Sequence, residues 1–350
     1  MRSTSERQPI TIKDIAARAG VSISTVSRVV NHTVRVDPAT ERRVQEAIDI
    51  LGYRPNLLAR GFRRKITLTI GLLVPDNSNP FFAETARVIE DAGFKEGYSV
   101  ILCNSDLSEV KQSDYVDVLL AKRVDGVILT STGLIASQSG AAIVDRIHDA
   151  NVPCVVLDRD LDGYPVDQVL VDNEEGGQLA GEYLIRLGHR RIACVVGPSD
   201  LTPSAGRISG FRRALAAAGL PLSPGSVIRG NGRADGGVTA VRELLRREIA
   251  VTAIFAFNDE MAVGVIGELQ RAGRRVPGDV SVIGFDDIPY ASAIYPAVTT
   301  IAQPIAQMGS LGVRLLLDRI RQPDAPFQRI ILSTALVERE SSSAIRGPGK

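Results

Sequence analysis

From Ile66 onward the chain alternates short, unbroken apolar runs with amphipathic stretches, and this pattern narrows the possible folds more than any other feature. The apolar runs are Thr69–Val74, Ser99–Leu102, Gly126–Leu129, Cys154–Leu157, Ile192–Val196, Ala253–Ala256 and Val280–Ile283. Between them, stretches such as Phe82–Glu96 and Ala205–Ala218 have helical periodicity. Runs of four to six apolar residues suit strands buried on both faces, and helices between such strands are the crossovers of parallel sheets. The count and spacing predict an α/β core of two doubly wound parallel-sheet lobes with a cleft between them. Ligands of open α/β sheets bind at the carboxyl ends of the strands. The residues just past the runs are polar: Asp76-Asn77, Asn79, Asn104-Ser105-Asp106, Thr130-Ser131-Thr132, Asp158-Arg159, Asn258-Asp259, Asp286-Asp287 and Gln303.

The first 65 residues are of another kind. They hold 13 Lys/Arg against 6 Asp/Glu, while the remaining 285 hold 28 against 34. A basic head on an acidic body is the charge pattern of a nucleic-acid contact confined to one end. Thr11 caps a helix that Gly20 ends, Ser22 caps a second through Val30, and Asp37-Pro38 opens a third through Ile50. Three short helices joined by a Gly-containing turn predict an all-α helix-turn-helix unit. The second helix is rich in hydroxyls, which suit phosphates, and Arg28 can reach guanine edges in a major groove.

Other classes are disfavoured. No apolar run nears the roughly 18–20 residues of a membrane span, and the N-terminal residues lack the apolar core of a secretory signal, so a cytoplasmic chain is expected. Cys103, Cys154 and Cys194 sit in strand-like runs and read as buried hydrophobes, and His32, His148 and His189 are scattered. Neither a metal nor another cofactor is expected. Gly230-Asn231-Gly232-Arg233-Ala234-Asp235-Gly236 misses the dinucleotide fingerprint, and no nucleophile elbow or phosphate-binding loop occurs. Asp286-Asp287 cannot flank one bond, because consecutive extended residues point apart. An enzyme is not expected.

The run from Thr11 through Ala16, and on through Ala19-Gly20-Val21-Ser22-Ile23-Ser24-Thr25-Val26-Ser27-Arg28-Val29-Val30-Asn31, resembles the helix-turn-helix of the lac/galactose repressor family of bacterial transcription regulators. The resemblance implies base reading by Ile23, Ser24 and Arg28, with Thr11, Ser22, Thr25, Asn31 and Arg35 positioning the DNA backbone. It also implies that residues 55–65 form a hinge helix that folds on operator DNA in a dimer, with Leu58, Ala59 and Arg60 in contact. Phe62 stands where the family's groove-wedging leucine is usual.

The body resembles the sugar-binding core shared by these repressors and periplasmic sugar-binding proteins, with the ribose-responsive members nearest. The likeness rests on Asn79-Pro80-Phe81-Phe82, Leu102-Cys103-Asn104, Gly197-Pro198, Thr202-Pro203, Arg207, Gly210-Phe211, Asn258-Asp259-Glu260-Met261-Ala262, Gly284-Phe285-Asp286-Asp287, Thr299–Pro304 and Leu336-Val337-Glu338-Arg339. It implies an effector site of Asn79, Phe81, Phe82, Asp158, Arg159, Arg207, Asn258, Phe285, Asp286 and Gln303. Aromatic faces would sandwich a small sugar, and charged groups would bond its hydroxyls. A ligand-stacking aromatic of the family falls on Gly232 here. Expected partners are operator DNA, a small-molecule effector and a second copy of the chain, with no membrane. Ribose is the first candidate effector; a nucleobase, nucleoside or sugar phosphate acting as corepressor is the alternative. A sugar-binding protein without DNA function is the remaining one. The expected divisions are a helix-turn-helix domain at 1–54, a hinge at 55–65 and a core at 66–340. Within the core an N-lobe takes about 66–168 and 300–325, a C-lobe about 169–299 and 326–340, and crossovers fall near residues 168, 290 and 325. The last segment, 341–350, lacks heptad leucines, which predicts a disordered tail and a dimer.

Overall fold

The computed structural model describes residues 10–31, 35–53, 66–130, 139–197 and 201–345. The chain divides into two units, Met1–Thr67 and Leu68–Lys350. In the first, α1 (Ile12–Ala19) begins where Thr11 donates its N–H and its hydroxyl to the Asp14 carboxylate, each at 2.7 Å. It ends at Gly20, whose φ of 64° an L side chain resists. Ser22 accepts from the Thr25 N–H at 3.1 Å and starts α2 (Ile23–Asn31). Asp37 accepts from the Thr40 N–H at 3.1 Å, with Pro38 in the first turn of α3 (Pro38–Leu51). Ile15, Val26, Val29, Val44 and Ala47 make the small core of this unit.

The second unit holds two six-stranded sheets. The first contains β1 (Thr69–Val74), β2 (Ser99–Asn104), β3 (Gly126–Leu129), β4 (Cys154–Leu157), β5 (Asp167–Val171) and β11 (Arg329–Leu332), in the order β11-β5-β4-β3-β1-β2. The second contains β6 (Ile192–Val196), β7 (Val227–Arg229), β8 (Ala253–Ala256), β9 (Ser281–Asp286), β10 (Thr299–Ala302) and β12 (Ala335–Val337), in the order β12-β10-β9-β8-β6-β7. Every pairing is parallel except that of β10 with β12. Helices α4 (Pro80–Lys95), α5 (Glu109–Ala121), α6 (Ser139–Asp149), α7 (Asn173–Arg186), α8 (Thr202–Ala217), α9 (Ala234–Arg246), α10 (Asp259–Arg271) and α11 (Ile305–Arg321) connect the strands. Strand side chains such as Leu72, Val155, Val195, Phe255 and Val282 are wholly buried, as sheets covered on both faces require. The three cysteines are buried and unpaired. Among the described residues no helix is long and apolar enough to cross a membrane.

Three boundaries differ from expectation. β5 and β11 pair with each other in the first sheet, whereas β10 lies in the second. The chain therefore changes lobe after Val171, after Ala302 and between Leu332 and Ala335, where crossovers near 168, 290 and 325 and lobe bounds at about 168/169, 299/300 and 325/326 were expected. A crossing inside β5 would strand the backbone groups of a buried strand without partners, so the chain crosses where strands end. The expected tail disorder is also corrected for residues 341–345. Ser341 is fully buried: its hydroxyl donates to the Val282 carbonyl at 2.6 Å and accepts from the Thr299 N–H at 2.8 Å. The Ile345 N–H bonds the Leu187 carbonyl at 2.9 Å. Residues 346–350 lie outside the described residues.

Helix starts matter for the site. α4 opens at Pro80 because Asn79 accepts the Phe81 N–H at 2.9 Å. α7 and α8 touch backbone to backbone: a Cβ on Gly177 would lie 2.1 Å from the Arg207 carbonyl oxygen, and one on Gly210 1.8 Å from that of Glu174. This close approach fixes the helix that carries Arg207.

Candidate functional site

The carboxyl ends of β1, β4, β6, β7, β8, β9 and β10 each deliver a residue to one cavity of about 100 Å³ between the two sheets. From the first lobe come Asp76, Asn79, Phe81, Phe82, Asp158 and Arg159; from the second come Arg207, Asn231, Gly232, Arg233, Asn258 and Asp286, with Gln303 just after β10. Nine of the ten expected effector residues thus line the cavity.

The exception is Phe285. It is fully buried, and its ring lies beneath the Arg207 guanidinium, 3.6 Å from ring centroid to guanidinium carbon. It is a floor under Arg207, not a cavity wall.

Phe81 and Phe82 occupy the first turn of α4 and meet edge to face, centroids 5.0 Å apart. Arg207 is buried and held from three sides. It donates to Asn173 Oδ1 at 2.8 Å and to the Phe257 carbonyl, and its Nη2 lies 3.6 Å from Asp286 Oδ1. Burial pulls the Arg207 guanidinium below its ordinary value. Burial pushes the Asp286 carboxyl up to about 7, against the opposing pull of Arg207 and of the Gln303 amide, which donates to it at 2.7 Å. The backbone at Asp286 and Asp287 has φ of 114° and 59°, costly for residues with a Cβ. There the two carboxylates separate: Asp286 faces the cavity, and Asp287 accepts from Arg339 at 2.6 Å. Asp158 pairs with Arg159 at 2.7 Å. Two buried acceptors of this wall, Asp158 Oδ1 and Gln303 Oε1, take no hydrogen bond from the described residues.

Asn79 and Asn258 are occupied otherwise than expected. Both are helix caps, and Asn258 also donates to the Gly232 carbonyl at 2.7 Å. Asp76, one of the polar residues just past the strand ends, and Arg233, four residues past β7, line the cavity but were not among the ten expected effector residues. Pro203, from the Thr202-Pro203 pair of the family likeness, joins the wall too, as do Phe257 and Ser204, which carry no distinguishing sequence signal.

In the first unit Ile23, Ser24, Arg28 and Arg35 are exposed. Thr11 and Ser22 serve as helix caps, and the Ser22 hydroxyl also meets those of Ser24 at 2.7 Å and Thr25 at 2.8 Å. The Asn31 side chain and the expected hinge contacts Leu58, Ala59, Arg60 and Phe62 lie outside the described residues.

A helix-turn-helix unit and a two-lobed body with a polar interlobe cavity define a ligand-responsive DNA-binding regulator. Residues 11–56 match the lacI family of bacterial regulatory proteins, and residues 182–342 a periplasmic binding protein-like domain. The chain belongs to the LacI family. It is 41% identical over 335 residues to the ribose operon repressor of Escherichia coli K12, covering 95% of this chain and 99% of that one. It is 39% identical over 331 residues to the HTH-type transcriptional repressor PurR of Vibrio atlanticus, covering 95% and 98%. Among solved structures, the lac repressor dimer bound to operator and an anti-inducer has a TM-score of 0.86 at 30% identity, covering 96% of this chain and 100% of that one. A LacI family regulator from Enterococcus faecium with bound ribose has a TM-score of 0.72 at 36% identity, covering 79% and 100%.

Proposed function

We propose that this chain is a cytoplasmic repressor without a catalytic step, which binds palindromic operator DNA as a dimer and whose grip is set by ribose in the interlobe cavity. The observation that carries the ligand reading is the pair of orphaned acceptors, Asp158 Oδ1 and Gln303 Oε1, in the same wall as the buried Arg207 and Asp286. An unpartnered buried polar atom costs about 1–3 kcal/mol. A ligand whose hydroxyls donate to these acceptors and accept from Arg207 removes that cost. Phe81 and Phe82 give its C–H faces an apolar neighbour. The volume is small beside the roughly 300–1,000 Å³ of drug-sized sites, which favours one sugar ring. On the DNA side, Ile23, Ser24 and Arg28 read bases while Ser22, Thr25 and Arg35 position the backbone.

A nucleobase corepressor is the second reading, favoured by the relatives named PurR. Calorimetry with ribose, ribose 5-phosphate, hypoxanthine and guanine, paired with operator mobility shifts in each, tests both. Ribose binding that changes operator affinity supports the proposal; purine binding without ribose binding overturns the sugar assignment.

A further inference from the structure

Arg233 and Asp76 stand on opposite lobes, and each is held by its own lobe as though placed for the other. Asp76 follows β1 and is buried. Its Oδ1 accepts from the N–H and the hydroxyl of Ser78, at 3.0 and 2.6 Å, which leaves Oδ2 free of its own lobe. Arg233 follows β7 in the other lobe and directs Nε and Nη2 onto that oxygen at 3.0 and 2.7 Å. The same Nη2 reaches Asp106 at 3.4 Å. Burial alone would raise the Asp76 carboxyl, but Ser78 and Arg233 together hold it below its ordinary value.

The loop beneath Arg233 is built to present it. The Arg233 N–H donates to Asn231 Oδ1 at 3.0 Å, Asn231 donates to Asp235 at 3.1 Å, and Asn258 grips the Gly232 carbonyl. Gly232 has φ of 83°, which turns the chain so that the next residue projects across the cleft. At Gly232, the position on which the family's stacking aromatic falls, the chain places a turn followed by a cation. A neutral bond, Asp160 N–H to the Thr202 hydroxyl at 3.2 Å, also joins the lobes.

We propose that Asp76 and Arg233 form an interlobe clasp that favours the closed cleft before ligand arrives and thereby sets ligand affinity and limits ligand size. The clasp rests on reading the cavity as the ligand site, but its closing action does not depend on which ligand binds. Both N–H donors meet one oxygen of a carboxylate whose other oxygen is already satisfied, so the bond is lost when the lobes part. Arg233 is half exposed and Asp76 nearly buried, which makes the pair stronger than a surface ion pair and still able to open.

The test uses the full-length protein, Arg233→Gln, Asp76→Asn and the double variant. Small-angle scattering of ligand-free protein reads closure directly, and calorimetry with ribose reads affinity. We expect a larger radius of gyration in each single variant than in the unmodified protein, and ribose affinity about tenfold weaker, since ligand must then close a more open population. The double variant should match the singles, because all three remove one bond. Unchanged scattering in both single variants overturns the clasp. So do additive losses in the double, which would mean that the residues act on ligand separately. If ribose binds none of the proteins, the sugar reading fails and the scattering arm alone decides.

Discussion

Acidification from pH 8 to pH 6 should weaken ribose binding about tenfold, and Asp286 should account for the loss. In the free site burial holds this carboxyl at about 7. On the proposed reading of the site, its ionised form accepts from ligand hydroxyls, and its protonated form has less capacity to do so. Ligand therefore prefers the charged form, and binding draws the pKa down. The sign follows: affinity is complete above about 7 and falls on acidification, approaching tenfold per pH unit well below it. Between pH 8 and 6 the protonated fraction rises from about a tenth to about nine-tenths, a penalty near 1.4 kcal/mol. Binding at pH 6 should release about 0.9 proton, and at pH 8 about 0.1. Calorimetry in two buffers of different ionisation enthalpy measures both affinity and proton count. Asp286→Asn keeps the shape and removes the titration, so its profile should be flat and its affinity at pH 8 lower by about 1.5–3 kcal/mol, the worth of a charged hydrogen bond. Asp158 and Asp259 also act on this carboxyl, and burial holds Asp259 well above the ordinary range. The variant separates them: if Asp286→Asn retains the slope, another acid is responsible. A constant affinity and no proton release in the unmodified protein would refute the reasoning outright.

Other consequences can be checked separately. Arg28→Ala should cost about 1–3 kcal/mol on operator and much less on scrambled duplex, and equal losses on both would remove Arg28 from base readout. Phe285→Leu keeps an apolar floor but removes the ring under Arg207, so ribose affinity should drop by about 0.5–2 kcal/mol while ligand-free operator binding stays unchanged. Gly210→Ala forces a methyl against the Glu174 carbonyl and should lower stability by about 1–3 kcal/mol, read as a fall in the calorimetric Tm of the body. Operator DNA should shift ribose affinity by the same factor as ribose shifts operator affinity, and an unchanged ribose titration with operator present would deny any coupling.

The two sheets were legible because β1, β2, β3, β4, β6, β8 and β9 contain short apolar runs separated by helical stretches. β5 was hidden by its first two residues. Asp167 and Gln168 are buried polar groups whose partners are not local: Arg319 donates to Asp167 at 2.8 and 3.1 Å from 152 residues away. The Leu161 N–H donates to Gln168 at 2.9 Å. Without those contacts on view, a strand beginning Asp-Gln reads as a turn. Phe285 shows a different failure. Alternation along an extended strand sends neighbours to opposite sides, and it separates Asp286 from Asp287; applied one residue earlier, it also sends Phe285 away from the cavity. Arg233 was beyond local reading altogether, since its partner stands 157 positions earlier and in the other lobe. The serines at 341–343 looked like a solvated tail. Their hydroxyls and backbone instead complete the bonding of β9, β10 and His189.

The division of the cavity between lobes decides which contacts can switch the protein and which only bind. A ligand moves an equilibrium between two forms only through the difference in its free energy with each. Phe81 and Phe82 sit together on α4, so a ring resting on them gains nearly the same energy whether the lobes are open or closed. Such contacts raise affinity without favouring either form. Asp158 and Arg159 follow β4 in one lobe, whereas Arg207 and Asp286 belong to the other, so on the proposed reading a sugar bonded to both groups would hold its full set only when the lobes meet. On that reading the ligand's own contribution to closure, as distinct from that of the Asp76–Arg233 pair, is concentrated in the hydroxyls that bridge these two sets. An epimer that misplaces one bridging hydroxyl keeps its stacking on Phe81 and Phe82 but loses its grip on the second lobe. On this proposal, discrimination between sugars and the ability to change DNA affinity are the same free energy, carried by the same few bonds.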